Sequence, residues 1–445
     1  MSRSISVDCE WFDQPAARDL VERRTWGSLR ISAAGRSVTR WWDRAAQAER
    51  TGIDIPVFAL AEWLVANWWA LLYEPSRSED IPPPSIDLWP SQRAWLRRHC
   101  LRGADSGLML PRVCLYNDGR GLGVFWSADD QDAYPHMPGY FVEFGLVSVP
   151  REEVRRDLSE FVAKVLSRVE DLADERVKNL RENWNAILGA DAAESAFCCA
   201  AGRMGLDPYD SESWDRALLD LIESQIGDDP DTPLVADFLE SAEIRTAPEA
   251  WKWIVHAEES LGLAEAPRSV ALARHCGDAA TCGYDLARQV RAQAGLGEHQ
   301  ALRNVSDASN ALGIESFAFV EHNHLPTRRF NAAVGWRDNR EAVIAGPRPP
   351  RDGDRRFLEA RGLYHAAVAC DRGPRLVTKA HTWDQQVSRA FAAELLAPSA
   401  ALVARTEPRE NDMGSLIQTL ADEYAVSTRV IEHQLENAGI DIDSE

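Results

Sequence analysis

The chain has 445 residues, of which 45% are hydrophobic, so it can bury substantial cores and form about two to four domains. Its formal net charge of -21 opposes binding to nucleic-acid phosphates, which leaves proteins or small molecules as the expected partners. Because no apolar run reaches the roughly 18 residues of a membrane span, we expect no membrane association; the best candidate, residues 55–73, is interrupted by Glu62 and Asn67.

Cysteine usage and the start of the chain indicate a reducing compartment. The eight cysteines are scattered without a C-x-x-C pair, and no signal peptide is recognisable at the N-terminus. This pattern predicts reduced thiols in a cytoplasmic protein of bacterial type.

Residues 1–150 are predicted to form a tryptophan-rich α+β domain. Aromatic and β-branched residues cluster between glycine, aspartate and proline breaks, as in strands, and residues 57–74 have the continuous apolar character of one buried helix. Ten tryptophans fall in this region, and filling a core is the commonest use of such rings. The proline-rich stretch from Ile81 to Pro90 is predicted to be an extended loop.

Residues 151–280 are predicted to be a helical connector domain. Apolar residues recur at spacings of three and four from Val154 to Leu172, which predicts one long amphipathic helix. Shorter helices follow, separated by breaks whose aspartate, serine, threonine and proline residues suit helix starts.

Residues 281–445 show a different order of elements. Two helices lead into a strand, and residues 332–346 have the pattern of a hairpin around Asp338 and Asn339. The helix "RFLEARGLYHAAV" from Arg356 follows, then a basic turn, the helix containing "FAAELLAP" from Phe391, and two short helices at the end.

This series resembles the ImmA/IrrE family of metallopeptidase-like domains. "FAAELLAP" and the R-F-x-x-A-x-x-x-x-H helix carry the resemblance, which covers about 160 residues, the C-terminal third of the chain. It implies a zincin-like fold with a helix-turn-helix-like tail. The expected class of the whole chain is therefore α+β.

The resemblance also implies a zinc site, which this sequence has lost. Such sites take two histidines four residues apart on one helix, a glutamate beside the first as general base, and a third ligand from a following helix. The matching positions are Arg361 for the first histidine, Gly362 for the base, His365 for the second histidine and Val387 for the third ligand. Only His365 could bind a metal, so we predict no catalytic residues, no cofactor and a pseudopeptidase.

Two interpretations of the altered helix stay open. Arg361 pairs with a nearby carboxylate such as Asp384, or the vacated pocket binds an anionic group or a partner's side chain. The candidate pocket residues are Arg361, Tyr364, His365, His381, Asp384 and Glu394. We expect Glu394 to be a carboxylate on the helix surface. A rebuilt metal site is the weaker alternative, because His381 and the pair His322 and His324 lack the required spacing.

The tail has helix-turn-helix spacing, with a turn at Val426 and Ser427, but its charge opposes DNA binding. Residues 406–445 contain ten acidic side chains and two basic ones. The recognition helix would present Arg429 beside Glu432 and Glu436, whereas readers of DNA bring basic and amide groups to the bases. We expect the tail to pack against its own domain.

The sequence therefore favours a non-catalytic regulatory or interaction protein with a protein partner. The resemblance implies a setting in bacterial stress response, mobile-element control or phage defence. The alternatives are a zinc-dependent endopeptidase with atypical ligands and a DNA-binding transcriptional regulator.

Overall fold

A computed structural model describes residues 5–12, 17–76, 93–132, 136–226, 230–261, 278–322, 325–337, 341–368, 373–406 and 413–442. Helices and strands are mixed throughout, so the fold class is α+β. The chain divides into two compact units, unit 1 (Met1–Pro230) and unit 2 (Asp231–Glu445). This grouping differs from the predicted boundaries at 150 and 280, because it divides the predicted helical connector between the two units.

The described strands of unit 1 form three antiparallel sheets. In these, β2 pairs with β1, β3 and β6; β8 lies between β7 and β10; and β4 lies between β5 and β9. The strands are β1 (Ile5–Trp11), β2 (Trp26–Ala33), β3 (Arg36–Ser37), β4 (Trp41–Asp43), β5 (Ala48–Arg50), β6 (Ile53–Pro56), β7 (Arg112–Asn117), β8 (Leu122–Ser127), β9 (Gly139–Phe141) and β10 (Gly145–Val149).

The helices of unit 1 are shorter than the periodicity predicts. They are α1 (Leu20–Arg24), α2 (Phe58–Ala66), α3 (Trp68–Tyr73), α4 (Ala94–His99), α5 (Arg151–Arg168), α6 (Glu175–Gly189), α7 (Ala192–Arg203) and α8 (Arg216–Leu221). The single helix predicted over 57–74 is wrong, because Asn67 leaves helical geometry and donates its amide to the Trp63 carbonyl at 2.8 Å. The long helix is also wrong: α5 ends at Arg168, and Asp174 caps a separate α6.

Tryptophan rings fill much of the core of unit 1, as predicted. Those with at most 8% of their surface exposed include Trp63, Trp68, Trp69, Trp95 and Trp126, whereas Trp89 and the proline-rich loop lie outside the described residues. Trp68 meets Trp184 of α6 edge to face, with centroids 4.9 Å apart. Val154 and Val165 of α5 belong to the same hydrophobic cluster, which places these connector helices in the core of unit 1.

Unit 2 contains one four-stranded sheet in the order β11-β13-β12-β14, in which β11 is parallel to β13 and the other pairs are antiparallel. Its strands are β11 (Ser316–Glu321), β12 (Phe330–Trp336), β13 (Glu341–Gly346) and β14 (Arg375–Thr378). The pairing of β12 with β13 confirms the predicted hairpin, although Asp338 and Asn339 at its turn lie outside the described residues.

The helices of unit 2 form a shared core with the sheet. They are α9 (Pro233–Ser241), α10 (Ala247–Leu261), α11 (Ala279–Gln293), α12 (Val305–Ala311), α13 (Asp352–Leu363), α14 (Trp383–Leu396), α15 (Ser399–Thr406), α16 (Met413–Tyr424) and α17 (Thr428–Asn437). Helices α11 and α14 approach closely at Gly283, where an added Cβ would lie 2.7 Å from the Val387 carbonyl oxygen. Glycine permits this contact.

The two last helices pack on the rest of unit 2. Ile417, Leu420, Ile431 and Leu435 belong to its hydrophobic core. The Gln434 amide accepts from the Tyr284 hydroxyl at 2.5 Å and donates to the Ala397 carbonyl at 2.9 Å. Apolar burial and a buried side-chain amide thus hold α17 against α11 and the end of α14.

Two further findings bear on the predictions about compartment. Cys282 is disulfide-bonded, so the expectation of reduced thiols is wrong at that position, while Cys9, Cys100, Cys114, Cys198 and Cys199 are free. Within the described residues, no single helix is long and apolar enough to cross a membrane; α14 and α15 meet those criteria only as a pair bent by 56°.

Candidate functional site

The helix that resembles a zinc-protease helix is α13. It passes at Tyr364 into a single π turn, Tyr364–Val368, which makes local room beside the sheet. Arg361 and His365 are 3% and 2% exposed, so the two positions that correspond to the metal-binding histidines are inside the protein.

The Arg361 guanidinium is held by uncharged acceptors. It donates to the Ser388 hydroxyl at 3.1 Å, to the Thr378 carbonyl at 2.8 Å and to the Gln385 amide oxygen at 2.8 Å. Burial, and then the positive charge of Arg389, lower the pKa of Arg361 well below its ordinary value, while Asp237 opposes them. A guanidinium in this position offers donors only, so it cannot coordinate a cation.

Asp384 does not pair with Arg361, so that prediction is wrong. Its carboxylate accepts instead from the Tyr364 hydroxyl at 2.9 Å and from Arg375 at 3.0 Å. Arg375 begins β14 and reaches Asp384 directly, whereas Arg361 is turned toward the Gln385 side of α14. The carboxylate that was expected to pair with Arg361 is therefore used by a different arginine.

Asp237 is the residue that sequence reasoning missed. It lies on α9, is 3% exposed, and accepts both prongs of Arg375 at 2.8 and 3.2 Å. It also accepts from the Leu376 amide at 3.1 Å and from the Gln385 amide at 3.2 Å. Four donors to one carboxylate make it the centre of the buried network.

A signal for Asp237 does exist in the sequence. Leu234, Asp237, Phe238 and Ser241 share the buried face of α9, so a carboxylate interrupts an apolar stripe of helical period. Such a residue needs a buried partner. The sequence does not say which of the many arginines supplies it.

Opposing effects set the pKa of Arg375 in this network. Burial works against the charge of Arg375, but Asp237 and then Asp384 outweigh it and raise the pKa of Arg375 above its ordinary value. Gln385 then joins this pair to Arg361, because its amide nitrogen donates to Asp237 while its oxygen accepts from Arg361 at 2.8 Å. The two arginines are thus linked through one neutral side chain.

His365 is buried without a hydrogen-bond partner for either ring nitrogen among the described residues. Burial first, and then the charges of Arg375, Arg361 and Arg389, lower the pKa of His365 well below its ordinary 6.5. The imidazole is therefore neutral at pH 7. One buried donor and one buried acceptor without partners cost about 1 to 3 kcal/mol each.

The positions of the catalytic base and of the third ligand are closed by packing. A Cβ at Gly362 would lie 2.8 Å from the Ile344 Cδ1 on β13, so a side chain there requires Ile344 to move. Val387 is fully buried in the hydrophobic core of unit 2. Glycine at 362 lets α13 approach Ile344 of the sheet closely, although glycine has a low helix propensity.

The remaining predicted site residues lie apart from one another. Glu394 is 1% exposed, so its expected place on the surface is wrong; it accepts from Arg288 at 2.9 Å and from the Ser399 amide at 2.8 Å. His381 lies just before α14, and its carbonyl accepts a hydrogen bond from the side-chain amide of Gln386. His322 bonds Ser260 at 3.0 Å, and His324 lies outside the described residues.

Among the described residues, no three histidine, cysteine, aspartate or glutamate side chains are placed to hold one metal ion. Arg361 and Val387, the residues at the expected zinc position, do not fit such an ion. The Arg361 side chain is itself positively charged and hydrogen-bonded, and the Val387 side chain has no atom that could bind a metal.

Comparison of the chain with known protein families, with characterised proteins and with solved structures finds no match.

The described arrangement has the properties of a structural network. Arg361 contacts α14 and β14, and Tyr364 contacts Asp384 of α14, while α9 joins this group through Asp237, which accepts from Arg375 and Gln385. The charged side chains Arg361, Arg375, Asp237 and Asp384 have donors or acceptors inside unit 2, whereas the neutral His365 ring has none among the described residues. Chemically, the described side chains hold α9, α13, α14 and β14 together.

Proposed function

We propose that this chain is a non-catalytic regulatory or interaction protein, with a C-terminal ImmA/IrrE-like pseudopeptidase domain. The observation that supports the proposal is the place of Arg361, whose guanidinium occupies the first metal-ligand position and donates three hydrogen bonds there. A metallopeptidase needs lone pairs at this point to hold zinc and make hydroxide at neutral pH. Arginine presents N–H groups instead.

The position of the catalytic base supports the same conclusion. Gly362 supplies no carboxylate, and a side chain there would displace the Ile344 Cδ1. Because neither water activation nor proton transfer has a residue here, the domain is proposed to act by binding. With a net charge of -21, a protein partner with a basic or mixed surface is favoured over nucleic acid.

The residue motifs of α13 and α14, which resemble those of the ImmA/IrrE family, also support a biological setting related to that family. We propose bacterial stress response, mobile-element control or phage defence. In such a setting a domain without catalysis acts by holding or sensing another protein.

The decisive experiment measures zinc in the whole chain after purification from zinc-supplemented cells without chelator. We expect far less than one zinc per chain, and no change in His365→Ala. Arg361→His places imidazoles at 361 and 365, so this variant should gain weak zinc binding. Arg361→Lys, the matched control, should gain none. Stoichiometric zinc in the unaltered protein that disappears in His365→Ala would establish the endopeptidase alternative instead.

Interaction is tested with the whole chain as bait in cells of a bacterial host. We expect one protein to be enriched reproducibly and to reassociate with the purified chain at a defined stoichiometry. If the purified chain instead cleaves proteins in a chelator-sensitive way, the non-catalytic proposal is wrong. Salt-dependent retardation of duplex DNA would favour the transcriptional regulator.

A further inference from the structure

Unit 1 contains a pair of facing cysteines that the proposed function does not use. Cys100 follows α4, Cys114 lies in β7, and the two form an isolated antiparallel bridge. Facing residues in antiparallel pairs have Cα atoms about 4.5 to 5.5 Å apart, and disulfides span about 4.4 to 6.8 Å. Facing side chains also lie on the same side of the ladder. The backbone therefore already holds a geometry that a disulfide can adopt.

The two thiols also contact each other. Each residue is 1% exposed, and they share an apolar cluster with Trp95, Leu96 and Tyr116. The Cys114 thiol donates a hydrogen bond to Cys100, which lowers the pKa of Cys100 and raises that of Cys114 well above its ordinary value. The backbone amide of Arg102 also favours a thiolate at Cys100, while the charges of Arg102 and Arg112 lower the pKa of both thiols. One sulfur is thus prepared as nucleophile and the other as its resolving partner.

We propose that Cys100 and Cys114 are a reversible disulfide site that hydrogen peroxide closes. The Cys100 thiolate attacks one peroxide oxygen, an S–O bond forms, the O–O bond breaks, and hydroxide leaves and takes up a proton as water. The Cys114 sulfur then attacks the Cys100 sulfenic acid; the S–S bond forms as the S–O bond breaks, and a second water leaves with the Cys114 proton. The cysteines lose two electrons, which the peroxide gains. A dithiol reductant reverses the reaction by exchange.

The other free cysteines of unit 1 lack this arrangement. Burial raises the pKa of Cys9 and of Cys198 to about 12, so both are poor thiolates at neutral pH. Cys198 and Cys199 are consecutive residues of α7, and consecutive helical side chains do not face each other. Hydrogen peroxide should therefore react at Cys100 before it reacts at Cys9 or Cys198.

The bond has a structural consequence next to Cys100. His99 contacts the Leu115 carbonyl and the Glu74 carboxylate, so the bridge connects the end of α4 to β7 at the edge of a buried charged cluster. Closing it removes freedom from the unfolded chain, as disulfides do. Oxidation should therefore raise the temperature at which unit 1 unfolds by several degrees.

The first test treats the folded whole chain with hydrogen peroxide, blocks remaining thiols after unfolding, and measures the intact mass and a non-reducing peptide map. We expect the loss of two hydrogen atoms, one linked peptide pair containing Cys100 and Cys114, and full reversal by dithiothreitol. If both cysteines are still alkylated after treatment, or the new link joins other cysteines, the proposal is overturned. This map uses no variant, so it decides even where substitutions impair folding.

The second test separates the two roles. Cys114→Ser should leave a sulfenic acid on Cys100 that dimedone traps, while Cys100→Ser should show neither label nor linkage. Cys9→Ser, the matched control, should behave like the unaltered chain. A Cys114→Ser protein that folds but takes no dimedone at Cys100 contradicts the assignment of Cys100 as nucleophile.

Discussion

The two units each contain a buried cluster of charged residues, but the clusters are built differently. In unit 1, Glu74 accepts from Arg98 at 2.6 Å and contacts His99 at 2.9 Å, so one carboxylate faces two basic side chains. In unit 2, Asp237 and Asp384 are both used by Arg375, which leaves Arg361 with neutral acceptors. In the first cluster both basic side chains contact the carboxylate. In the second, Arg361 has only uncharged acceptors among the described residues.

The two buried histidines show the same difference. His99 is fully buried, with one ring nitrogen at the Leu115 carbonyl and the other at Glu74, and Trp95 stacks on it at 4.3 Å. His365 is equally buried but has no hydrogen-bond partner among the described residues. A histidine with two acceptors stabilises its surroundings, and one with none is tolerated because the helix around it is well packed.

The largest expected effect is from Asp237→Ala. It leaves Arg375 buried with only Asp384, so the free energy of unfolding of unit 2 should fall by about 3 to 5 kcal/mol. Hydrogen exchange of the β14 amides reports the loss locally. Asp384→Ala is the control: the Asp384 side chain is 29% exposed, so water can replace it and the loss should be smaller. Equal losses would show that Asp237 is not the centre of the network.

Glu74→Gln is expected to cost unit 1 about 2 kcal/mol at pH 7, because the contacts with His99 and Arg98 lose the negative charge of the carboxylate. Burial opposes the charge of Glu74, but His99 and then Arg98 outweigh it and lower the pKa of Glu74. The stabilisation is therefore complete above the ordinary value of 4.5 and declines as the pH falls through the lower folded value. Urea unfolding should be measured at intervals of about one pH unit between about pH 3 and 7. The free energy of unfolding should depend less on pH in the variant than in the unaltered protein.

His365→Leu should raise the free energy of unfolding of unit 2 by about 1 kcal/mol at pH 7, because it removes two buried nitrogens without partners. Burial lowers the pKa of His365, so the unfolded chain binds a proton below about 6.5 that the folded chain does not. The unaltered protein should therefore lose stability as the pH falls below that value, and the variant should lose less. His99→Leu, the matched change in unit 1, should destabilise. Similar outcomes for the two substitutions would remove the contrast between the clusters.

Arg98→Met is expected to have the smallest effect, about 1 kcal/mol, because its side chain is 28% exposed and water screens the pair with Glu74. Hydrogen exchange of the β7 amides measures it. A loss larger than that of Glu74→Gln would show that Arg98, rather than His99, holds the Glu74 carboxylate.

Much of the local structure followed from the pattern of residues. The strands around "GLGVFWSA" and the β12 and β13 hairpin were predictable because alternation and turn residues act over a few positions. The two long helices were predicted wrongly, because an apolar stripe continues across Asn67 and Val169 while the backbone there does not. Hydrophobic periodicity shows which face of a helix is apolar. It does not detect a break in the helical backbone when the apolar face continues beyond the break.

The sequence alone determined which chemistry positions 361, 362 and 387 can supply, because a residue's donors and lone pairs belong to its side chain whatever the fold. Only the tertiary structure decided which partners surround these positions. Asp237 meets Arg375 across 138 residues of chain, and Glu394 is buried by α11 and α17. Such partners depend on which surfaces pack together, and that choice is made by the whole core rather than by any segment.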